Sequence, residues 1–179
     1  MILLASFMEG NADILKILRN EIEALFGECR ILNHRLEIPK EAFDETRGQY
    51  DSRYFLDKIS EDIGRASDKM VGITDADLYT QHLNFVFGQA ILGGNACVVS
   101  LHRLDPEFYG QKNSGLFVER AIKEVVHELG HCFGLRHCTK KDCVMVFSNS
   151  ILEVDHKTRC FCDDCEKIVG EAIDHNKKL

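Results

Sequence analysis

Several features that would place a chain quickly are missing here. No block of lysine or arginine stands out, and 22 Lys and Arg against 29 Asp and Glu leave a net charge of −7. That balance offers no electrostatic footprint for nucleic acid or anionic lipid. No stretch approaches the ~18 apolar residues that a membrane span needs. The opening run MILLASF lacks the basic flank, the length and the small-residue cleavage site of an export signal, and reads as a first strand. We therefore expect no nucleic-acid partner, no membrane partner and a cytoplasmic chain. The only two prolines, Pro39 and Pro106, fall at breaks in the apolar pattern, and no repeat, low-complexity tract or Pro/Gly/Ser linker divides the 179 residues. One compact unit is expected.

Cysteine is not scarce: there are eight, six of them between Cys132 and Cys165. In a reducing compartment such a cluster reads as metal ligands or free thiols rather than disulfides. Cys29, Cys97 and Cys132 lie in apolar segments and are expected to pack in the core.

The periodicity predicts a strand at 2–7 and a helix over 12–27, with Ile14, Leu15, Leu18, Ile22, Leu25 and Phe26 on its apolar face and a stop at Gly27. A strand at 29–38 follows. Next comes a helical segment at about 42–64 with Tyr54, Phe55 and Ile59 inward. Apolar runs at 69–74, 83–91 and 96–101 read as further strands. The best-marked helix spans Leu116–Phe133, where Val118, Ile122, Val125, Leu129 and Phe133 recur at three and four, with Glu119 and Lys123 as an exposed pair and Gly134 ending it. Elements in this order give an α/β (α+β) fold, a twisted mixed sheet with helices packed on it.

That last helix opens the stretch HELGHCFGLRHCTKKDCVM, from His127 to Met145. Residues four apart share a helix face, so His127 and His131 present two imidazoles to one point, and the reversal allowed at Gly134 brings His137 to them. Three histidines, a glutamate and a glycine would fall into this register by chance in roughly one chain in 10⁴ of this composition. A three-histidine metal keeps a position open to water, the arrangement of a catalytic zinc. Glu128 stands where that chemistry needs a general base. Four thiolates, by contrast, close a structural zinc. Cys138 and Cys143 supply two; the C-x-x-C spacing favours Cys162 and Cys165 for the others and leaves Cys160 spare, with a Cys160–Cys165 pairing as the alternative. Two Zn²⁺ per chain are expected. Met145 is no ligand but a packing base beneath the histidines, or ordinary core filling.

His127, Glu128, His131, Gly134, His137, Cys138, Cys143, Met145, Cys162 and Cys165 together resemble the archaemetzincin pattern H-E-x-x-H-x-x-G-x-x-H-C-x4-C-x-M followed by C-x-x-C. One departure shows: 16 residues separate Met145 from Cys162, where about 17 are expected, and Cys160 is extra. The resemblance implies a compact metzincin-like domain over 1–179, with an upper subdomain (1–134) ending in the active-site helix and a small zinc-stabilised lower one (135–179). It also implies a zinc metallopeptidase with Glu128 as base, and a peptide or protein substrate bound by an edge strand, here 84–91 with 97–101 further inside. Val146 and Phe147 stand after the methionine, so no tyrosine ligand is expected. Two other classes compete: an idle peptide-binding zinc protein on the same scaffold, against which Glu128 argues, and a nucleic-acid-binding zinc finger, disfavoured by the charge and by lysines in groups as small as Lys140 and Lys141. The sequence makes no statement of oligomeric state.

Overall fold

The computed structural model describes residues 1–10, 12–64 and 68–176. Its larger sheet has five strands in the order β2 (Cys29–Ile31), β1 (Ile2–Ser6), β5 (Lys69–Thr74), β9 (Ala96–Ser100), β8 (Gly88–Ala90), parallel except for the antiparallel edge strand β8. The central strand β5, KMVGIT, is buried at every residue, as a parallel strand covered on both faces must be. On one face Val71, Ile73, Cys97 and Val99 pack with α1 (Ala12–Phe26) and α3 (Ser114–Cys132). On the other, Met70, Ala96 and Val98 meet Phe55 and Ile59 of α2 (Ser52–Asp62). Alternate residues thus serve two cores, the consequence of a period of two.

Helix α1 ends where expected, at Gly27 in the left-handed region (φ 92°), although Leu25 is 40% exposed and outside its buried stripe. The strand predicted at 29–38 closes after Ile31. Leu32 and Leu36 still donate to the carbonyls of Leu4 and Ser6, but the polar Asn33–Arg35 run bulges away from β1. The helix expected from residue 42 begins only at Ser52, capped by Asp51 accepting from the Arg53 amide. Before it, Lys40–Ala42 forms a short 3-10 turn and Phe43–Asp44 (β3) pairs with Gln49–Asp51 (β4) in a hairpin. Asp44 accepts from the Thr46 amide and hydroxyl there, and Gly48 sits at φ 64°, the turn chemistry that defeats the helix. Tyr54, expected inward, is 41% exposed.

The single strand expected at 83–91 is two. Leu83–Val86 (β7) pairs with Leu78–Thr80 (β6) in a second sheet of order β3-β4-β6-β7, and β8 joins the first. Phe87, buried between them, accepts from the Ser100 amide as the chain changes sheet.

Helix α3 is buried nearly all round from Arg120 to Gly130, because the sheet, α1 and α4 (Ile151–His156) enclose it. That enclosure overturns the exposed Glu119–Lys123 pair: Lys123 is buried, donating to the Val154 and Asp155 carbonyls at the end of α4, while Arg120 makes a bidentate pair with Asp155. The helix stops as expected at Gly134 (φ 92°), with Gly134 N–H on the His131 carbonyl and Leu135 N–H on that of Gly130, a Schellman ending. Lys69 donates to the Cys132 carbonyl beyond it. A final helix, α5 (Asp163–Asn176), starts at the C-x-x-C pair.

Candidate metal centres and cleft

Helix α3 brings His127 and His131 onto one face, and the Schellman reversal returns the chain so that His137 joins them. The ligand-capable nitrogens of the three lie within 4.8 Å of one another, and His127 Nε2 is 3.1 Å from His131 Nε2. The other ring nitrogens decide what those atoms offer. His127 Nδ1 lies 2.8 Å from the Val144 carbonyl and His131 Nδ1 2.7 Å from that of Leu135. A carbonyl can only accept, so each Nδ1 carries the proton and each Nε2 turns a lone pair toward the common point. Burial holds all three imidazoles below their ordinary range and therefore neutral. A neutral imidazole with a fixed tautomer is the form that binds a metal, so the chemistry of the donor set fits a zinc.

Met145 is fully buried beneath them. A Cβ on Gly130 would fall 2.5 Å from its sulfur, so the glycine inside the helix is what admits the methionine. The signal was a glycine in mid-helix, where it costs about 1 kcal/mol against alanine and needs a packing reason. Gly88 on β8 is the second residue the motif reading passed over: a Cβ there would meet the Glu128 side chain at 2.6 to 2.9 Å. Glu128 therefore lies flat against the edge strand. Burial, then the charge of Glu124, pushes its carboxyl well above the usual range, with Lys157 opposing.

The second group joins Cys138, Cys143, Cys162 and Cys165, sulfurs within 4.8 Å, and leaves Cys160 exposed outside it. Backbone amides of Lys140 and Cys162 point at the sulfurs of Cys138 and Cys143, each at 3.4 Å. The Cys165 amide and the neighbouring thiols lower Cys162 to about 7. Cys29, Cys97 and Cys132 are buried in the core.

A cleft of about 830 Å³ opens over the histidines, walled by Leu83–Ala90 on one side and Phe147–Asn149 on the other. Residues 109–115 contribute nothing to its lining among the described residues. The edge of the larger sheet at this wall is Gly88–Ala90, with β9 inside it; residues 84–86 belong to the other sheet.

An edge strand packed beside a helix-borne histidine cluster, with an open cleft above both, is the layout of a metal-dependent hydrolase. Comparison makes the family specific. The model of peptidase family M54 matches residues 4–170. The archaemetzincin of Methanocaldococcus jannaschii is 44% identical over 158 residues, covering 88% of this chain and 86% of that protein. That of Pyrococcus furiosus is 40% identical over 182 residues, covering 97% and 94%. The crystal structure of the Methanopyrus kandleri archaemetzincin superposes with a TM-score of 0.87 at 36% identity, over 97% of this chain and 94% of that one. The chain belongs to peptidase family M54, the archaemetzincins, and is a zinc metallopeptidase. No helix among the described residues is long and apolar enough to cross a membrane.

Proposed function

We propose that this chain hydrolyses peptide bonds at the His127–His131–His137 centre with Glu128 as general base, and that it holds two zinc ions, the second on Cys138, Cys143, Cys162 and Cys165. The observation that carries the reading is the pair of Nδ1–H bonds to the Val144 and Leu135 carbonyls, which commits two Nε2 atoms to a metal before any metal arrives. A zinc held there supplies polarisation of the scissile carbonyl and lowers the pKa of a bound water to about 7. Glu128, pinned against Gly88, takes a proton from the attacking water and returns it to the leaving amine. The edge strand β8 offers its free side to an extended peptide, which adds antiparallel or parallel main-chain bonds and fixes the scissile bond over the histidines. The cysteine centre is closed and carries no chemistry: it holds the segment that contains Met145, since Cys138 N–H donates to the Met145 carbonyl. The upper unit (1–134) and lower unit (135–179) form the two walls of one catalytic domain, and the chain works in the cytoplasm.

Elemental analysis of wild type and His131→Ala, with cleavage of a mixed peptide library by wild type and Glu128→Ala, tests this. Two zincs, falling to one, with cleavage lost at Glu128→Ala, is the expected result. Unchanged metal counts with no peptide cut under any condition would leave a zinc-bound peptide-binding scaffold and end the enzymatic mechanism. One zinc, retained in His131→Ala, would remove the histidine centre.

A further inference from the structure

Histidines aside, four charged side chains line the cleft, Glu124, Glu128, Arg136 and Lys157, and three of them are already engaged. Glu124 and Lys157 stand 2.7 Å apart, with side chains only 4% and 1% exposed. Glu128 is buried against Gly88. Arg136, by contrast, is exposed, and among the described residues it makes no hydrogen bond, ion pair or ring contact. The accessible surface of the cleft therefore offers a peptide one uncompensated charged side chain, and that charge is positive, although the chain as a whole carries −7.

Backbone contacts fix which end of the cleft this is. The Gly93 amide donates to the His131 carbonyl, which sets the turn after β8, with its exposed Leu92, at the C-terminal end of α3. Arg136 leaves the chain at that same end, because it follows Leu135, whose carbonyl meets His131 Nδ1 at 2.7 Å. Gly88, against Glu128, lies about one helical turn away. The edge strand then gives a direction. Phe87 accepts from the Ser100 amide and the Ile91 amide donates to the Ala96 carbonyl, so the alternation of an antiparallel ladder turns the N–H and C=O of Gly88 and Ala90 outward. Antiparallel pairing is the more stable per residue, and a peptide added that way runs from the Leu92 end toward Gly88. Its leaving amine faces Glu128, the proton source in the mechanism above, and the residues before the scissile bond pass Arg136.

We infer that Arg136 selects an acidic side chain on the amino side of the scissile bond, at the first or second residue before it, a step that rests on the peptidase reading above. A guanidinium presents a planar fork of donors that matches a carboxylate with two parallel hydrogen bonds, and Arg136 gives up no existing partner to make them. Glutamine in the same place brings one oxygen and no charge. Lysine brings a like charge and is disfavoured. Because the fork stands in solvent, the gain is that of an exposed bidentate pair, about fivefold in affinity for the acid over its amide.

The test uses the zinc-loaded chain and peptides that end in a hydroxamate in place of the carboxyl, so that zinc holds the end and the peptide lies on the amino side alone. The last or next-to-last residue is Glu, Gln or Lys, and calorimetry at low and high salt gives the affinities. At one of the two positions Glu binds about fivefold tighter than Gln, Lys binds more weakly than Gln, and the differences shrink at high salt. In Arg136→Met the Glu-to-Gln ratio falls to about one, in Arg136→Lys part of it survives, and in Arg136→Glu lysine becomes the tightest; elemental analysis checks that each variant keeps its zinc. Equal affinity for Glu and Gln in wild type, tightest binding of Lys, a preference for Glu unchanged in Arg136→Met, or no hydroxamate binding at all overturns the inference. Peptides carrying Glu, Gln or Lys on either side of the bond separate it from the reading beneath. Discriminated hydroxamates with no peptide cut leave the role of Arg136 standing and remove the peptidase, whereas cleavage that ignores these residues, or favours acid only beyond the bond, removes the role of Arg136 alone.

Discussion

Gly88→Ala is the sharpest probe of how Glu128, the proposed base, is placed. The backbone at Gly88 is not in the left-handed region, so alanine is allowed there and any effect arises from the added methyl. That carbon would lie 2.6 Å from Glu128 Cγ, 2.7 Å from Oε1 and 2.9 Å from Cδ. Ordinary van der Waals contact begins at 3.4 Å, so the carboxylate must retreat by about 0.8 Å or the edge strand must. The first is easier, because β8 is tied to β9 at Gly88, Gln89 and Ala90. Displacement of a catalytic group by about 1 Å costs on the order of 10²-fold in rate, or about 2.7 kcal/mol of barrier. The expected result is a kcat/KM loss of about 100-fold with zinc content unchanged and a stability loss of about 1–3 kcal/mol from overpacking. Peptide kinetics, elemental analysis and a melting curve measure the three. In the alanine background, Glu128→Asp, which withdraws the carboxylate by one methylene, costs less than it does in wild type. Wild-type kcat/KM in Gly88→Ala would refute the argument, because the carboxylate would then not need its place against the strand.

Three further outcomes follow from the same geometry. Cys143→Ser lowers zinc to one per chain and, by freeing the segment between Cys138 and Met145, weakens the remaining histidine site by about 10–100-fold, the range for lost supporting contacts; competition with a chelator measures it, and unchanged affinity breaks the link. Iodoacetamide labels only Cys160 rapidly in the zinc-loaded chain, counted by mass, and three thiols after chelation, Cys138 and Cys162 joining it: Cys97, Cys132, Cys143 and Cys165 stay buried, and burial pushes Cys29 up to about 12. Without metal, Glu128→Gln melts above wild type at pH 8. The folded chain raises this carboxyl above its unfolded 4.5, so its contribution is fully present below pH 4.5 and is lost as pH rises toward the folded value. The gap between variant and wild type therefore narrows as pH falls toward 4.5, and a gap that widens would reverse the sign.

What could be read in advance divides by range of interaction. His127, His131 and Gly134 are placed by one helix and its ending, and helix periodicity with a glycine stop writes both into consecutive residues. The hairpin at 43–51 was also local, in the Asp44–Thr46 turn and Gly48, but a loose apolar spacing from 42 onward masked it. Leu83–Ile91 departs from a single strand for a different reason. Nothing in its composition marks Phe87 as the point where the chain leaves one sheet for another, because β7 turns back on β6 and β8 forward on β9, and only the sheets those two neighbours join make the distinction. Lys123 shows the same limit: four residues after a glutamate, it looks like half of a surface pair, and only the docking of α4 buries it on two carbonyls.

The glycines carry the strongest lesson about mechanism. Gly88 and Gly130 lie on different elements, yet each is a space occupied by a side chain of the centre, Glu128 in one case and Met145 in the other. Helix α3 is thus gripped at its active turn from both sides, by the edge strand against its base and by the methionine segment under its histidines. The strand reaches it across the sheet and the methionine through the cysteine group, so the catalytic turn depends on two parts of the chain that share no local sequence. An alanine at either position should be felt at this turn of α3, at Glu128 in one case and beneath the histidines in the other, although neither glycine offers a ligand. For Gly130→Ala the 2.5 Å approach to sulfur forces Met145 aside, and the loss appears first in zinc affinity, whereas Gly88→Ala leaves the zinc in place and lowers rate and stability.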